Sequence, residues 1–146
     1  MKKHKSSGFT LIELMLVVII LGILVAAVVP RLVGRSEQAR RETAKSDIKG
    51  ALALSLDLYE LDNGHYPTTS QGLDALVHKS SMPPVPDNWN GPYLKKKMPI
   101  DPWGKSYVYS CPGSHNTEDY DLYSYGPNGT EGGDDDIVNW ERDKGA

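Results

Sequence analysis

The chain has 146 residues, of which 39% are hydrophobic, and this length suits one small domain with an appendage. Its formal net charge of −3 gives no indication of a nucleic-acid-binding protein. Cys111 is the only cysteine, so an intramolecular disulfide is excluded, and a small fold outside the cytoplasm would need another source of stability, such as a metal ion.

The first element is an apolar segment from Phe9 to Val29, 21 residues with a single charge at Glu13. In a helix with a rise of about 1.5 Å per residue it spans about 32 Å, which is enough to cross a bilayer. Three lysines precede it, so the positive-inside rule predicts a cytoplasmic N-terminus and a remaining chain across the membrane. These are Lys2, Lys3 and Lys5.

The junction between the basic and apolar segments, "GFTLIE" from Gly8 to Glu13, resembles the class III signal of type IV pilins and pseudopilins. The resemblance implies that a prepilin peptidase cuts between Gly8 and Phe9 and then methylates the new N-terminal amine of Phe9. Residues 1–8 would be a cleaved leader, 9–29 a transmembrane and filament-core helix, and 30–146 a periplasmic head. The alternatives are a secretory signal peptide cut near "VAA" at 25–27, and a plain uncleaved anchor.

Glu13 needs an explanation because a carboxylate costs roughly 2.5–3.5 kcal/mol in the middle of a membrane helix. An amine at about 4 Å would return roughly 4 kcal/mol at an effective dielectric constant near 20. After cleavage, Phe9 carries such an amine one helical turn from Glu13. The family resemblance implies that the partner amine belongs to a neighbouring subunit, so Glu13 would set the register of assembly.

A single long helix is predicted from Phe9 to about Asp62, with a kink favoured at Pro30 and an end at Asn63-Gly64. Its second half is amphipathic. The predicted core-facing stripe has i, i+3, i+7, i+10 spacing, flanked by Ile48, Leu52 and Tyr59. The stripe is made of Ala51, Leu54, Leu58 and Leu61.

The remaining chain predicts a short helix and a small antiparallel sheet, so the fold class is α+β, with the long N-terminal helix packed on the sheet. Ser70 is the predicted N-cap of the short helix, whose apolar face is Leu73, Leu76 and Val77. The strands are predicted at 105–111 and 120–125, with a third near 93–95.

Three further stretches, "GHYPTTSQGLDAL", "DPWGKSYVYSCPG" and "DLYSYGPNG…DDDIVNW", resemble successive landmarks of the major pseudopilins of type II secretion systems. The resemblance covers almost the whole chain and implies a type IV pilin-like fold. It also implies a homo-oligomeric helical pseudopilus in the bacterial inner membrane that drives export of folded proteins across the outer membrane. The implied partners are minor pseudopilins, the prepilin peptidase and an inner-membrane assembly platform.

Two other functions stay open. The first is a type IV pilin for adhesion or motility, although many pilins close their C-terminal region with a disulfide that Cys111 cannot make. The second is a membrane-anchored calcium-binding module that stays monomeric. No nucleotide-binding loop or hydrolase motif is present, so catalysis is not expected.

The acidic, glycine-rich segment from Gly126 to Trp140 is the candidate metal site, because calcium prefers carboxylate, amide and carbonyl oxygens. By itself the pattern also fits a solvated acidic loop. The pseudopilin resemblance implies Ca²⁺, with side-chain ligands Asn128, Asp135 and Asp136. It further implies backbone carbonyl ligands from Tyr125, Thr130 and Gly133.

Overall fold

The computed structural model describes residues 8–95 and 97–141, and for 27–33 it describes the backbone alone. The predicted leader therefore lies outside the described residues except for Gly8. The chain divides into two compact units, Met1–Gln38 and Ala39–Ala146.

Helix covers most of the first 63 residues. Helix α1 spans Leu11–Ser46, a π-helical segment follows at Asp47–Leu52, and helix α2 spans Ala53–Asn63. The backbone stays helical through Pro30. Gly64 ends α2 in the left-handed conformation, with φ of 78°, and its N–H donates to the Glu60 carbonyl at 2.7 Å. The prediction of one long helical run that stops at Asn63-Gly64 is confirmed.

The predicted core-facing stripe of this helix is wrong. Ala51, Leu54, Leu58 and Leu61 are all exposed. The residues predicted to flank the stripe, Ile48, Leu52 and Tyr59, are fully buried, together with Ala44 and Leu56. Both sets repeat at helical spacing, so periodicity alone could not choose between them, and the packing of the sheet residues on one face decides which set is buried.

The segment after Pro67 forms only a single turn of 3₁₀-helix, Leu73–Leu76, and Ser70 does not cap it. Gly72 occupies the capping position without a side-chain hydrogen bond. Leu73 and Leu76 are buried as predicted, whereas Val77 is only half-buried and the buried alanine Ala75 was not anticipated.

Within the described residues the sheet has three strands, β1 (Val108–Ser110), β2 (Asp121–Ser124) and β3 (Ile137–Val138), in that order. The two predicted strands pair antiparallel, with Tyr109 opposite Leu122. The predicted third strand near 93–95 is wrong: that segment is a bend, and β3 supplies the third position by pairing Ile137 with Ser124. The segment at 93–95 instead packs on the core through Tyr93 and Leu94.

One core cluster joins the helices to the sheet. The buried face of the π-helical segment and α2 meets Tyr107, Tyr109 and Leu122. Two phenols cross between these layers: the Tyr107 hydroxyl donates to Asp47 Oδ2 at 2.7 Å, and the Tyr109 hydroxyl donates to the Pro67 carbonyl at 2.7 Å. Because both donors are satisfied, the rings of Tyr107 and Tyr109 are buried without an unpaired hydroxyl.

The acidic loop leaves the sheet from a fixed point. Buried Asp101 accepts the Lys105 N–H at 2.7 Å and the Ser124 hydroxyl at 2.6 Å, so one carboxylate ties the 101–105 turn to the end of β2. The Gly126 N–H then donates to the same Ser124 hydroxyl at 3.1 Å. The first residue of the loop is therefore held against the core.

Candidate functional site

The N-terminus of α1 is a capping box built by Thr10 and Glu13. Glu13 Oε2 accepts the Thr10 N–H at 3.1 Å and the Thr10 hydroxyl at 3.2 Å, while the Thr10 hydroxyl accepts the Glu13 N–H at 3.3 Å. This reciprocal arrangement satisfies two backbone donors that a helix start otherwise leaves unpaired. The sequence analysis missed it, although the T-x-x-E spacing carries the signal.

The capping box adds a local role to Glu13. The carboxylate lies in the first turn, where the helix dipole also favours negative charge. The predicted pairing with a neighbour's amine is not tested by one chain. Gly8 and Phe9 precede the box and are exposed, as cleavage at their junction requires.

The helix after the capping box is apolar on every side. From Leu11 to Val25 the large hydrophobic side chains are all exposed by roughly half or more. Among the described residues, none of the helices combines the length and the hydropathy of a membrane span. The last three residues of the predicted span at 9–29 are residues 27–29, whose side chains the structure does not describe.

The acidic loop between β2 and β3 is organised around Asn128 and Asp135. Asp135 accepts the Asn128 backbone N–H through Oδ2 at 3.1 Å and the Asn128 side-chain amide through Oδ1 at 2.7 Å. Asn128 Oδ1 in turn accepts the Thr130 N–H at 2.7 Å. The structure therefore brings two of the predicted side-chain ligands together, with Thr130 beside them.

Asp136 joins the same loop from the other side. Its Oδ2 accepts the Gly132 N–H at 2.9 Å. The polar lining of an open cavity of about 530 Å³ includes Asp136, Asp134 and Glu131 from this loop, opposite Asp121 and His115. Asp135 thus accepts hydrogen bonds from the backbone and side chain of Asn128, and Asp136 accepts one from the backbone of Gly132.

Glycines make this tight loop possible. Gly126 and Gly133 adopt φ of 66° and 83°, which side chains disfavour. A Cβ on Gly126 would clash with the Asp135 carbonyl oxygen. A Cβ on Gly133 would lie 3.0 Å from Asp135 Oδ1 and 3.7 Å from Asn128 Nδ2, so the missing side chain keeps open the space next to both predicted ligands.

These residues are of the chemical types that bind calcium. The Asp135 carboxylate and the Asn128 amide meet beside a glycine-lined space, with the amide nitrogen facing Asp135, and carboxylate and amide oxygens are groups that calcium takes as ligands. Within residues 8–95 and 97–141 no three His, Cys, Asp or Glu side chains form a metal-binding group. Any calcium ligation would therefore need Asn128 and backbone carbonyls as well as the two aspartates, and Asn128 would have to turn its oxygen toward the ion.

One cation already lies on the loop. The Lys105 ammonium donates to the Gly129 carbonyl and lies 5.8 Å from the centre of the Tyr125 ring. Lys105 follows the turn fixed by Asp101, so it holds the far arm of the loop to the head. Sequence reasoning gave Lys105 no role, because a lysine in a strand normally extends into solvent.

A second unpredicted cluster closes the cavity at Asp121. This carboxylate is only 2% exposed and accepts the N–H groups of Ser114, His115 and Asn116 at 2.7, 2.8 and 2.9 Å. Burial raises the pKa of Asp121, but these hydrogen bonds outweigh burial, so its pKa lies below the ordinary value.

The same cluster fixes the C-terminal segment. The His115 ring stacks on Trp140, with 4.0 Å between ring centres and 6° between planes, and its Nδ1 lies 3.1 Å from Asp121 Oδ2. Trp140 is therefore a packing anchor for the end of the chain that the structure describes. The turn-rich composition of 112–119 was visible in the sequence, but nothing there indicated that Asp121 would be its centre.

A spine helix with an apolar N-terminal half, continued into a head with a small antiparallel sheet, defines a type IV pilin-like protein. A model of the prokaryotic N-terminal methylation motif matches residues 3–29, and a model of type II secretion system protein G matches residues 31–140. The chain belongs to the type II secretion system protein G family.

Its relatives agree over nearly the full length. The chain is 53% identical to the type II secretion system core protein G of Pseudomonas aeruginosa, over 97% of this chain and 99% of that protein. It is 50% identical to the core protein G of Escherichia coli K12, over 93% and 92%. The crystal structure of the major pseudopilin of enterohaemorrhagic E. coli superposes with a TM-score of 0.66 at 43% identity, over 75% of this chain and 89% of that one.

Proposed function

We propose that this protein is the structural subunit of a type II secretion pseudopilus. The observation that carries the proposal is the match of both parts of the chain, the N-terminal methylation motif and the protein G head, to one family. In this role the chain polymerises from the inner membrane and drives folded proteins across the outer membrane.

The exposed apolar helix explains how one chain could serve in both membrane and filament. Apart from Glu13, its side chains from Leu11 to Val25 are apolar on every side, so they are compatible with lipid or with the same helix of other copies. Exchanging lipid for neighbouring helices exposes no new apolar surface to water. The sequence carries no nucleotide-binding motif, so the energy for polymerisation would come from outside the chain.

Processing and topology follow from the N-terminus. Prepilin peptidase cuts between Gly8 and Phe9 and methylates Phe9, and the lysines of the leader keep that end cytoplasmic. The head lies in the periplasm, and minor pseudopilins join the filament. The N-terminal methylation motif supports this order of events.

A gene deletion tests the proposal. Cells without this protein should retain exported proteins in the periplasm, and supplying the parent chain should return those proteins to the medium. Normal secretion combined with loss of surface adhesion or motility would instead identify a type IV pilin. A chain that never crosslinks to another copy through cysteines placed at 16–24 would be a monomeric anchored module.

We further propose that the loop from Gly126 to Trp140 binds one Ca²⁺. Asp135, Asp136 and Asn128 would supply side-chain oxygens, with backbone carbonyls of Tyr125, Thr130 and Gly133. The ion would supply positive charge to this acid-rich loop and tie its two arms together. The convergence of Asn128 and Asp135 beside Gly133 supports this site.

Thermal unfolding of the detergent-solubilised chain tests the calcium site. A ligand that binds only the folded state at a hundredfold excess over Kd stabilises it by about 2.7 kcal/mol. A calcium chelator should therefore lower the Tm of the parent, whereas Asp136→Ala should have a low Tm that calcium does not change. Asn128→Asp should bind calcium more tightly, because a carboxylate replaces a neutral amide.

Glu118→Ala is the matched control, because it removes one exposed acid of the head outside the loop. It should keep the full response to calcium. Identical melting curves for the parent with and without chelator would show that the segment is only a solvated acidic loop.

A further inference from the structure

Lys105 brings a positive charge to the acidic loop from a backbone position that is fixed by the core. Its N–H donates to buried Asp101 Oδ1, and its carbonyl accepts the Asp101 N–H, both at 2.7 Å. The same carboxylate accepts the Ser124 hydroxyl, and that hydroxyl oxygen accepts the Gly126 N–H where the loop begins. Lys105 and the first residue of the loop are therefore held by one buried group.

The Lys105 side chain ends against the backbone of Gly129. Its ammonium donates to the Gly129 carbonyl and lies 5.8 Å from the centre of the Tyr125 ring. A Cβ on Gly129 would lie 2.7 Å from Nζ and 2.9 Å from Cε, so the missing side chain leaves the room that the lysine occupies. The N–H of the same peptide group belongs to Thr130 and donates to Asn128 Oδ1 at 2.7 Å. One peptide group therefore separates the ammonium from an oxygen that is proposed to bind calcium.

A cation beside this loop is stabilising because the loop itself carries only acids. Between Gly126 and Trp140 there are four carboxylates and no lysine or arginine. The carboxylates are Glu131, Asp134, Asp135 and Asp136. Like charges crowded into one loop repel each other, and a nearby positive charge offsets that repulsion. Lys105 supplies one positive charge from outside the loop, and calcium would supply two.

We propose that Lys105 is the resident cation of the acidic loop: it holds the loop to the head without calcium and opposes the binding of calcium. The inference rests on the proposed calcium site and adds a residue that regulates it. The ammonium and the ion are attracted to the same carboxylates, but two positive charges on one short loop repel each other. Lys105 therefore weakens the affinity of the loop for calcium.

Loss of the lysine would also remove a contact that organises the loop, and this effect has the opposite sign. That contact is one hydrogen bond from an exposed side chain. The start of the loop would stay fixed through Ser124, and its arms would stay joined through Asn128 and Asp135. A divalent ion feels twice the repulsion that a single charge would feel, so we expect repulsion to outweigh the lost contact.

Lys105→Met in the detergent-solubilised full chain tests the proposal, because methionine keeps an apolar stem and removes both the charge and the donor. In chelator its Tm should lie about 2–4 °C below that of the parent, as expected for loss of one exposed hydrogen bond. Its Kd for calcium, measured by isothermal titration calorimetry, should be about threefold lower than that of the parent. At saturating calcium the gap in Tm should therefore narrow.

Two variants control for charge and position. Lys105→Arg keeps a charge and a donor, so its Tm in chelator and its Kd should match those of the parent. Lys79→Met removes one positive charge from an exposed position of the head outside both the loop and the 101–105 turn. Its Kd should stay at the parental value. An equal gain in affinity for Lys79→Met would mean that net charge sets the Kd, and would overturn the proposal.

Salt separates repulsion between charges from an effect of loop geometry. Exposed charges are screened over about 8 Å at physiological ionic strength and over about 3 Å at 1 M. The difference in Kd between the parent and Lys105→Met should therefore largely disappear in 1 M sodium chloride. A difference that persists unchanged at high salt would show that Lys105 acts through the shape of the loop, and would contradict the proposed opposition of charges.

The same measurements distinguish failure of this inference from failure of the calcium site. A calcium response in the parent, with an equal or higher Kd in Lys105→Met, would reject the role of Lys105 and leave the site standing. A response that appears only in Lys105→Met would support the inference, because the lysine would then be what excludes the ion. No response in the parent, Lys105→Met or Asn128→Asp would reject the calcium site and the competition together.

Discussion

At the scale of a single residue, Glu13 has two properties that can be separated: its negative charge, and an oxygen that accepts hydrogen bonds from Thr10. Its carboxylate caps α1 through Thr10, and the sequence also predicts that it pairs with a neighbour's amine. A glutamine keeps an oxygen that can accept from Thr10 but has no charge. The two roles can therefore be tested independently.

We expect Glu13→Gln to keep the chain inserted in the membrane and folded, yet to reduce assembly and secretion strongly. Glu13→Leu should lose both the cap and the charge, with insertion preserved or improved because the cost of a buried carboxylate disappears. Crosslinking through Leu16→Cys measures assembly in each variant. Assembly of Glu13→Gln at the parental level would show that capping, not pairing with an amine, is the reason for the carboxylate.

Asp121 is the buried carboxylate around which residues 114–116 are arranged. We expect Asp121→Asn to lower the free energy of unfolding at pH 7 by about 1–3 kcal/mol, because an amide cannot accept from all three N–H groups around it. The pKa of Asp121 is depressed in the folded state, so its stabilisation is present above an ordinary value near 3.8 and is lost as pH falls through the folded pKa.

Urea unfolding of the solubilised chain at pH 7 and at pH 3 measures this dependence. The gap between the parent and Asp121→Asn should narrow at the lower pH. A gap of equal size at both values would mean that the carboxylate acts by shape alone, and that its charge contributes nothing to the fold of 113–119.

At the scale of elements, the helical run from Leu11 to Asn63 changes its environment along its length. Its first part is apolar on every side, and its last part has a buried and an exposed face. The π-helical segment at Asp47–Leu52 lies where the buried face begins, and it places both Ile48 and Leu52 in the core. Wide helical turns of this kind commonly mark functional positions or places of local rearrangement.

Two leucines two residues apart test the assignment of these faces. Leu52→Ala should cost about 2–5 kcal/mol because it leaves a cavity in the core. Leu54→Ala should change the free energy of unfolding by no more than about 0.5 kcal/mol, because its side chain is exposed. Urea unfolding of both variants is the measurement, and a larger loss for Leu54→Ala would reverse the assignment.

The loop between β2 and β3 is an element without regular structure, and it is held from several directions. Asp101 fixes its start through Ser124, Lys105 holds Gly129, and Asn128 links the two arms through Asp135. The loop is thus already organised by hydrogen bonds around the proposed calcium site. A pre-organised loop loses less conformational entropy on binding an ion.

At the scale of the whole molecule, the predicted cleavage of residues 1–8 would change both the charge and the N-terminus of the chain. Removal of residues 1–8 takes the formal charge from 16 − 19 = −3 to 13 − 19 = −6, before the new amine is counted. The mature chain would have 146 − 8 = 138 residues. Processing therefore also creates the amine that Glu13 is predicted to need.

Intact mass of the membrane-extracted protein tests processing directly. We expect a chain that starts at Phe9 and carries one added methyl group. Gly8→Leu should accumulate uncut precursor, because a bulky side chain would occupy the position before the cut. A functional membrane form that retains Met1 would exclude the processing model.

The sequence by itself determined the spine helix, its stop at Gly64, the antiparallel pair of strands and the family. Local signals carry all of these: an apolar run with one charge, the Asn63-Gly64 pair, alternating tyrosines and ordered motifs. It also carried the T-x-x-E capping signal, which was overlooked. For the acidic loop, the sequence predicted which residues would act as ligands of a metal ion. Two of them, Asn128 and Asp135, lie within hydrogen-bonding distance of each other.

Only the tertiary structure decided which face of the helix is buried, where the third strand lies and what surrounds Asp121. Two stripes of equal periodicity, one through Leu54 and one through Leu52, cannot be ranked without knowing what packs on them. β3 pairs with β2 across the acidic loop, and Asp121 accepts hydrogen bonds from the N–H groups of the turn that precedes it. The buried face and the third strand depend on contacts between segments distant in sequence, and the Asp121 cluster depends on the fold of a turn only five to seven residues away, which composition alone does not encode.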